Sequence, residues 1–548
     1  MYKRQIVNGL SLPRALLPTL EEIEERFVKN LKGDVIVDYS PEVRAKMYFE
    51  ETNFPGVPDD RLGWCLQNLS YSPDLVLLDS AGYLGYIEFT YLIENLKSEC
   101  IIALDDIQHV KHFESFKYIR KHPDRFEILE FSPKDKFGFC IARFLPPKRT
   151  RRRIKRVSAE KIVWVRTDSI GDNVLAASML PYLYKKITSN IVVVCQDHIK
   201  ELYEHCPFVE KVISFNKPAA YQNASYRNWI IEQIRAYEPD LALNSVFSRE
   251  PITDVLTLQS GAKEKIAMYG DLCNIPQSIR DENNKHYTQL IASKGEWKLE
   301  LDRHKDFLKG LGITVRRELQ PVMWLSSEDV QRAKDLFQVL KLEPKKTIAL
   351  FAGAQSPLRI YKLYGHVLRT LCEKYGFGVI ALGARHDHGV NESQLKGIDA
   401  KYVNLSGKTT LRQCAAIIKL CALALGAETG LAHMACAVGT PNVIMLGGGH
   451  FGRFMPYSPL TTAVILPLDC YGCNWRCKYG RGICVQEIAP EVVEKAVEDT
   501  LKHKAGKPRV FVQTERTWSQ VRADRPVLPK WALPKGFVDF KKIIWVHI

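Results

Sequence analysis

Three stretches of the 548-residue sequence carry residue types that could do chemistry, at spacings suited to it. The first is Glu428-Thr429-Gly430-Leu431-Ala432-His433, set between the apolar run ALALGA and the helix-like run LAHMACAV. Backbone N–H groups at a helix start are unpaired and partly positive, so Gly430–His433 would cradle a phosphate. Glu428, just before it, could accept hydrogen bonds from a ribose. The second is Gly171-Asp172, which follows the apolar run KIVWV. Gly171 permits a tight strand-to-helix turn, and Asp172 then projects at the strand's carboxyl end, where it either caps the helix or meets a ligand. The third is Cys470, Cys473, Cys477 and Cys484. Four thiols this close can surround one tetrahedral zinc or iron ion, or remain metal-free. Such an ion would be structural, because four thiolates leave no open position. Cys195, Cys206, Cys414, Cys421 and Cys436 lie in apolar runs and read as core.

The elements around these residues alternate. From Tyr402 the chain reads as a strand (YVNL), a turn (SGK), and a helix with Thr409 or Thr410 as N-cap. The strand ALALGA, a helix ending at Gly439, and the strand NVIML follow, closing on Gly447-Gly448-Gly449. TIALFAGA, the loop QSPLR, a helix from Tyr361 to Lys374 and GVIALGA precede them. This alternation predicts a parallel sheet covered by helices, with ligands beyond the carboxyl ends of its strands. A second such unit opens at Lys161 with KIVWVRT and one helix, NVLAASMLPYLYKK, whose Val174, Leu175, Met179, Tyr182 and Leu183 share a face. NIVVVC, a helix near His198–Cys206, KVISF, a helix near Tyr226–Tyr237 and LALN complete the pattern. The helix SSEDVQRAKDLFQVL should cross between the units. The reading is α/β, with one lobe over 161–340 and another over 341–501.

Over residues 161–501 these turns resemble glycosyltransferase family nine, the heptosyltransferase-type enzymes. That family carries aspartate–threonine–glycine–x–x–histidine and then glycine–threonine–proline; here the runs are Glu428–His433 and Gly439-Thr440-Pro441, with glutamate in place of aspartate. Arg166–Asp172 matches the family's opening turn, whose aspartate is the general base, so the resemblance makes Asp172 the base, with Asp168 in reserve. Gly353-Ala354 followed by Arg359 matches a glycine–alanine turn and a lysine that contacts the donor phosphates. Guanidinium binds phosphate well. Tyr361-Lys362 stand where the family has tryptophan–proline. Many members also carry a cysteine cluster. The resemblance implies a GT-B fold of two Rossmann-like lobes with a cleft between them. It implies inverting transfer of a sugar, heptose from ADP-heptose, to lipopolysaccharide core or another surface glycan. Asp172 and Arg359 would be catalytic, and Gly171, Gly353, Ala354, Glu428, Thr429, Gly430 and His433 would bind the donor. No metal is required for transfer, since the helix start and Arg359 can hold the diphosphate.

Residues 1–145 form a separate α/β domain. From Asp74, the runs DLVLLDS, IIALDDI, FEILEF and FGFCIARF, with helices around Ile87–Leu96 and Phe113–Lys121, resemble the later half of a class I S-adenosylmethionine methyltransferase that ends in a hairpin. The glycine-rich turn that holds that cofactor is missing from the sequence, which argues against S-adenosylmethionine: either the chain starts inside the domain or the domain has lost its cofactor site. Asp79, Asp105 and Asp106 end adjacent strands, where such acids hold a metal or cap helices. Residues 146–160 read as a basic linker, PPKRTRRRIKR at its core, and 502–548 as a basic tail ending in an edge strand, KKIIWVHI, or in the first strand of a further domain.

Hydrophobic residues make up 46% and charged residues 25%, as in globular proteins. No apolar run reaches the ~18 residues that span a bilayer, and Pro13 and Arg14 break the only N-terminal candidate for a leader. The expected location is cytoplasmic, peripheral to the inner membrane face. Fourteen cysteines there would be reduced thiols or metal ligands. A net charge of +15 suits anionic partners such as nucleotide-sugars and phosphorylated glycolipid. Nucleic acid is disfavoured, because Lys148–Arg156 lacks interleaved aromatics.

Overall fold

The computed structural model describes residues 10–25, 36–37, 39–51, 53, 57–68, 73–80, 82–96, 98–133, 137–146, 157–295, 298–468, 470–502, 506–513 and 543–547. The heart of the basic linker and most of the basic tail lie outside them. The chain forms two compact units, Met1–Arg152 and Arg153–Ile548.

In the first unit, β1 (Leu75–Leu78) runs parallel to β2 (Cys100–Asp105). The expected hairpin, β3 (Phe126–Ser132) and β4 (Phe139–Phe144), lies against β2 in the order β1-β2-β4-β3. Helices Leu84–Asn95 and Phe113–Lys121 bury Phe89, Leu92 and Ile119 with Ile102, Cys140 and Phe144. The strand-end acids Asp79 and Asp106 share one lysine. Lys111 Nζ lies 3.2 Å from Asp79 Oδ1 and 2.9 Å from Asp106 Oδ2, so the chain supplies its own cation. They do not cap the helices, whose N-caps Tyr83 and His112 make no side-chain cap.

The second unit holds two parallel sheets. The first contains β5 (Lys161–Arg166), β6 (Asn190–Gln196), β7 (Lys211–Phe215), β8 (Leu241–Asn244), β9 (Glu264–Met268) and β10 (Gln289–Ile291), in the order β10-β9-β8-β5-β6-β7. The second contains β11 (Thr347–Phe351), β12 (Gly378–Ala381), β13 (Tyr402–Asn404), β14 (Leu423–Ala427), β15 (Asn442–Met445), β16 (Thr461–Ile465), β17 (Arg509–Val512) and β18 (Ile544–His547), in the order β13-β12-β11-β14-β15-β16-β17-β18. Part of the expected tail therefore belongs to this sheet as β17 and β18, paired in parallel. The central strands are buried along their whole length, as sheets covered on both faces must be. Trp164 in β5 is fully buried, and its indole N–H donates to Ser245 Oγ at 2.8 Å, which removes the cost of burying an unpaired donor.

One local reading changes. The helix expected from Asn173 is broken into Ile170–Ala176, a tight turn at Ala177–Met179, and Leu180–Lys186. Pro181 lacks an N–H and crowds the preceding turn, so one continuous helix cannot run through it. Helix Ser327–Val339 packs on helix Leu411–Leu420 of the second lobe. Thr410, not Thr409, caps Leu411–Leu420, in a capping box with Gln413.

Candidate functional site

The carboxyl ends of β5, β11, β12 and β14 face a cleft between the two sheets. Two glycines set its width. A Cβ on Gly171 would lie 2.7 Å from the His433 ring, and one on Gly430 would lie 2.7 Å from Ile170. Helices Ile170–Ala176 and Gly430–Ala437 can therefore touch end to end only because neither carries a side chain there. A second tie crosses nearby: Arg453 Nε donates to Glu300 Oε1 at 2.8 Å, and its Nη2 donates to Ser248 Oγ at 2.7 Å.

Two cavities occupy the cleft. One, of about 540 Å³, is walled mainly by the second lobe: Gly353, Ala354, Asp387, Glu428, Thr429, Gly430 and His433 line it, with Gly171 from the first lobe. The other, of about 710 Å³, is walled mainly by the first lobe and is highly charged, with Arg166, Asp168, Lys217, Glu250 and Glu300. Asp172, His198, Arg359 and His450 line both. Two ligands could thus meet at Asp172.

The first cavity has the donors an anion needs. Thr429 is the N-cap of helix Gly430–Ala437 and makes no side-chain cap. Its hydroxyl and Arg359 Nε are buried without a hydrogen-bond partner among the described residues. Buried polar atoms cost about 1–3 kcal/mol when left unpaired, so both fit a site that is completed by a ligand. Gly353 lets the next loop close in, since a Cβ there would lie 2.1 Å from Asp387 Oδ1.

Glu428 is the counter-charge of this wall. It is buried, and Arg359 Nη2 donates to its backbone carbonyl and lies 3.6 Å from its Oε2. His450 Nδ1 donates to Oε2 at 2.6 Å, and His433 Nε2 lies 3.4 Å from Oε1. Burial alone would raise the Glu428 carboxyl; His450 and Arg359 outweigh it and hold the group well below the ordinary carboxylate range. The carboxylate is therefore not left open for a ribose, as its sequence position suggested; it orients two cleft side chains. His433 is also committed, with Nδ1 2.9 Å from the Tyr457 hydroxyl and its ring stacked on Tyr457. Only its backbone remains for a phosphate.

Asp172 does not cap its helix. Ser169 holds the N-cap position, and the Ser169 hydroxyl donates to the Asp172 carboxylate. Asp168 is more enclosed. It pairs with buried Arg166 and accepts from Asn173 Nδ2 at 3.0 Å. Burial pushes its carboxyl up to about 7, further than Arg166 can lower it, and Asp172 adds like charge. The fold thus favours protonated Asp168. Its contribution to stability is complete below the ordinary value of 3.8 and is lost as pH rises to about 7, a change of up to about 4 kcal/mol. Urea midpoints at pH 5 and pH 7.5 check this: the fall between them should shrink in Asp168→Asn. Equal falls in variant and wild type would show that Asp168 does not titrate in this window.

The four cysteines ring one small cavity with Leu358, Trp475 and Tyr479. As the side chains stand, no group of three or more His, Cys, Asp or Glu among the described residues is arranged to hold a metal ion. Burial pushes the Cys484 thiol up to about 12, and the Cys477 thiol donates to the Arg481 carbonyl. The loop braces the cleft. Trp475 packs where side chains on Gly447 and Gly449 would stand, and it lies beneath Arg359 and edge-on to His450.

Sequence reasoning missed His198, Asp387, His450 and Trp475. Asp387 and His450 follow β12 and β15 at their carboxyl ends, so the rule that found Glu428 could have found them. Nothing in sequence pattern points to Trp475.

Two Rossmann-like lobes with a cleft between them define a GT-B-type glycosyltransferase architecture. Residues 293–480 match the model of glycosyltransferase family 9 (heptosyltransferase), and that stretch is a domain of this family. The family 9 glycosyl transferase from Veillonella parvula DSM 2008 superposes with a TM-score of 0.54 at 19% identity, over 64% of this chain and 99% of that one. The E. coli ADP-heptose lps heptosyltransferase II superposes at 0.50 and 18%, over 62% and 98%. At these identities the likeness speaks for the fold. Lipopolysaccharide heptosyltransferase 2 of Salmonella typhimurium (strain LT2) is 24% identical over 197 residues, 33% of this chain and 57% of that protein. Its E. coli (strain K12) counterpart is 24% identical over 168 residues, 29% and 48%. The chain spans about half the length of the curated relatives it matches. The family match leaves residues 74–145 untouched, and their methyltransferase resemblance gains no support from it.

Proposed function

We propose that the second unit transfers a sugar from a nucleotide-sugar, heptose from ADP-heptose, to lipopolysaccharide core or another surface glycan, inverting the anomeric carbon. The observation that carries this reading is the place of Asp172, where a cavity with unpaired phosphate donors meets a second, charged cavity. Asp172 takes the proton of the acceptor hydroxyl as its oxygen attacks the anomeric carbon from the face opposite the departing diphosphate. The bond to the diphosphate oxygen breaks, and Arg359, the Thr429 hydroxyl and the backbone at Gly430 receive the growing negative charge. No helix among the described residues is long and apolar enough to cross a membrane; we place the enzyme in the cytoplasm, where it meets a glycolipid acceptor at the inner membrane face. Incubation with ADP-heptose, UDP-glucose and GDP-mannose tests the reading. Slow hydrolysis of ADP-heptose ahead of the others is expected, and no hydrolysis of any would end it.

We also propose that Cys470, Cys473, Cys477 and Cys484 take a structural zinc or iron ion by rotating their thiols inward. Elemental analysis of tag-free protein should find about one ion per chain, and chelation should lower thermal stability. Protein without stoichiometric metal would leave the thiols as packing.

A further inference from the structure

His450 stands where both cavities meet, yet no part of the proposed reaction uses it. Its ring is fixed on three sides. Nδ1 donates to Glu428 Oε2 at 2.6 Å, Trp475 lies edge-on at 5.3 Å, and Phe454 packs at 4.5 Å between ring centres. The side chain is 17% exposed, so it reaches the cleft without being free to turn in solvent. Glu428 is held ionised by its cationic neighbours, and an ionised carboxylate only accepts, so the proton on Nδ1 is assigned. The opposite nitrogen, Nε2, has no partner among the described residues. Arg359 shares the same Glu428 oxygen and lines the same two cavities. One buried carboxylate therefore holds both side chains on the wall that the two cavities share.

We propose that His450 is a second catalytic residue of the transfer: as imidazolium, it donates its Nε2–H to the diphosphate oxygen from which the sugar departs. The inference rests on the sugar-transfer reading above. The acceptor's proton goes to Asp172, the electron pair of the breaking carbon–oxygen bond stays on the diphosphate oxygen, and the Nε2–H bond to that oxygen shortens as its charge grows. The proton need not leave His450. Glu428 acts here as a positioning residue, because it holds the ring and balances its charge. The groups that bear on the imidazolium are Glu428 behind it, Arg359 from the neighbouring turn, Arg453 from its own loop, and Asp172 and His198 across the cleft.

Two isosteric variants test the idea. His450→Asn keeps an amide near Nδ1, and so the bond to Glu428, but removes the reaching donor. His450→Gln places an amide N–H near Nε2 without charge. Turnover of ADP-heptose should fall at least thirtyfold in His450→Asn, while ADP affinity by calorimetry stays within about threefold. His450→Gln should recover most of that loss. Turnover of His450→Asn within threefold of wild type, or turnover of His450→Gln no better than that of His450→Asn, would overturn the role of His450 and leave the transfer reading intact. A wild-type protein that binds ADP but turns over no nucleotide-sugar would overturn the transfer reading and this inference with it.

Discussion

Asp172→Asn is expected to lose transfer by ~10²–10⁴-fold while binding the donor almost as wild type does. The amide has the size of the carboxylate and can still accept from Ser169, so the turn at Ser169–Asp172 keeps its shape. What it cannot do is take a proton. Asp172 lines both cavities, whereas Asp168 lines only the charged one and is already tied to Arg166 and Asn173. Single-turnover transfer and calorimetric binding of ADP, measured side by side, separate chemistry from affinity. Transfer within threefold of wild type would remove Asp172 as the base and pass that role to Asp168.

Glu428→Gln is the second large effect. The substitution keeps the shape but removes the negative charge that pairs with Arg359 and His450. Removing one partner of a buried ion pair typically costs about 3–5 kcal/mol, because the remaining charges lie uncompensated in a poor solvent. Part of that should appear as a lower thermal midpoint. Part should appear as nucleotide affinity lost by tenfold or more, about 1.4 kcal/mol, because Arg359 loses its anchor. Glu428→Asp keeps the charge but shortens the reach to His450, so it should retain binding better than Glu428→Gln. Titration of each variant with ADP, UDP and GDP checks the order. Unchanged affinity of Glu428→Gln for all three would detach Glu428 from the donor wall.

These two residues also mark how far the sequence could be read. Strand-end position placed both in the cleft, because parallel sheets present their carboxyl ends to ligands whatever the loops contain. The partners of Glu428 were not legible. His450 lies 22 residues away along the chain and Arg359 lies 69 away, and only the β11–β14–β15 order brings the three together. The GT-B lobes were legible from alternating apolar runs, yet Pro181 stopped a helix that periodicity alone would have continued. Likewise β18 pairs with β17 across a long intervening stretch, a pairing that no local pattern encodes. Cysteine spacing gave the neighbourhood of four thiols but not their directions, which depend on how Trp475 seats on the triple glycine.

The contact of Gly171 and Gly430 has a mechanical consequence. Two helix ends pressed together with no side chain between them act as a fulcrum, and it sits beside Asp172 and Thr429. A rigid lobe that pivots there moves its rim in proportion to distance from the pivot. Any opening that turns on this contact widens the rim of the cleft more than it separates Asp172 from Thr429. An alanine at either glycine would wedge the bearing apart and lengthen the one distance that the reaction needs kept short.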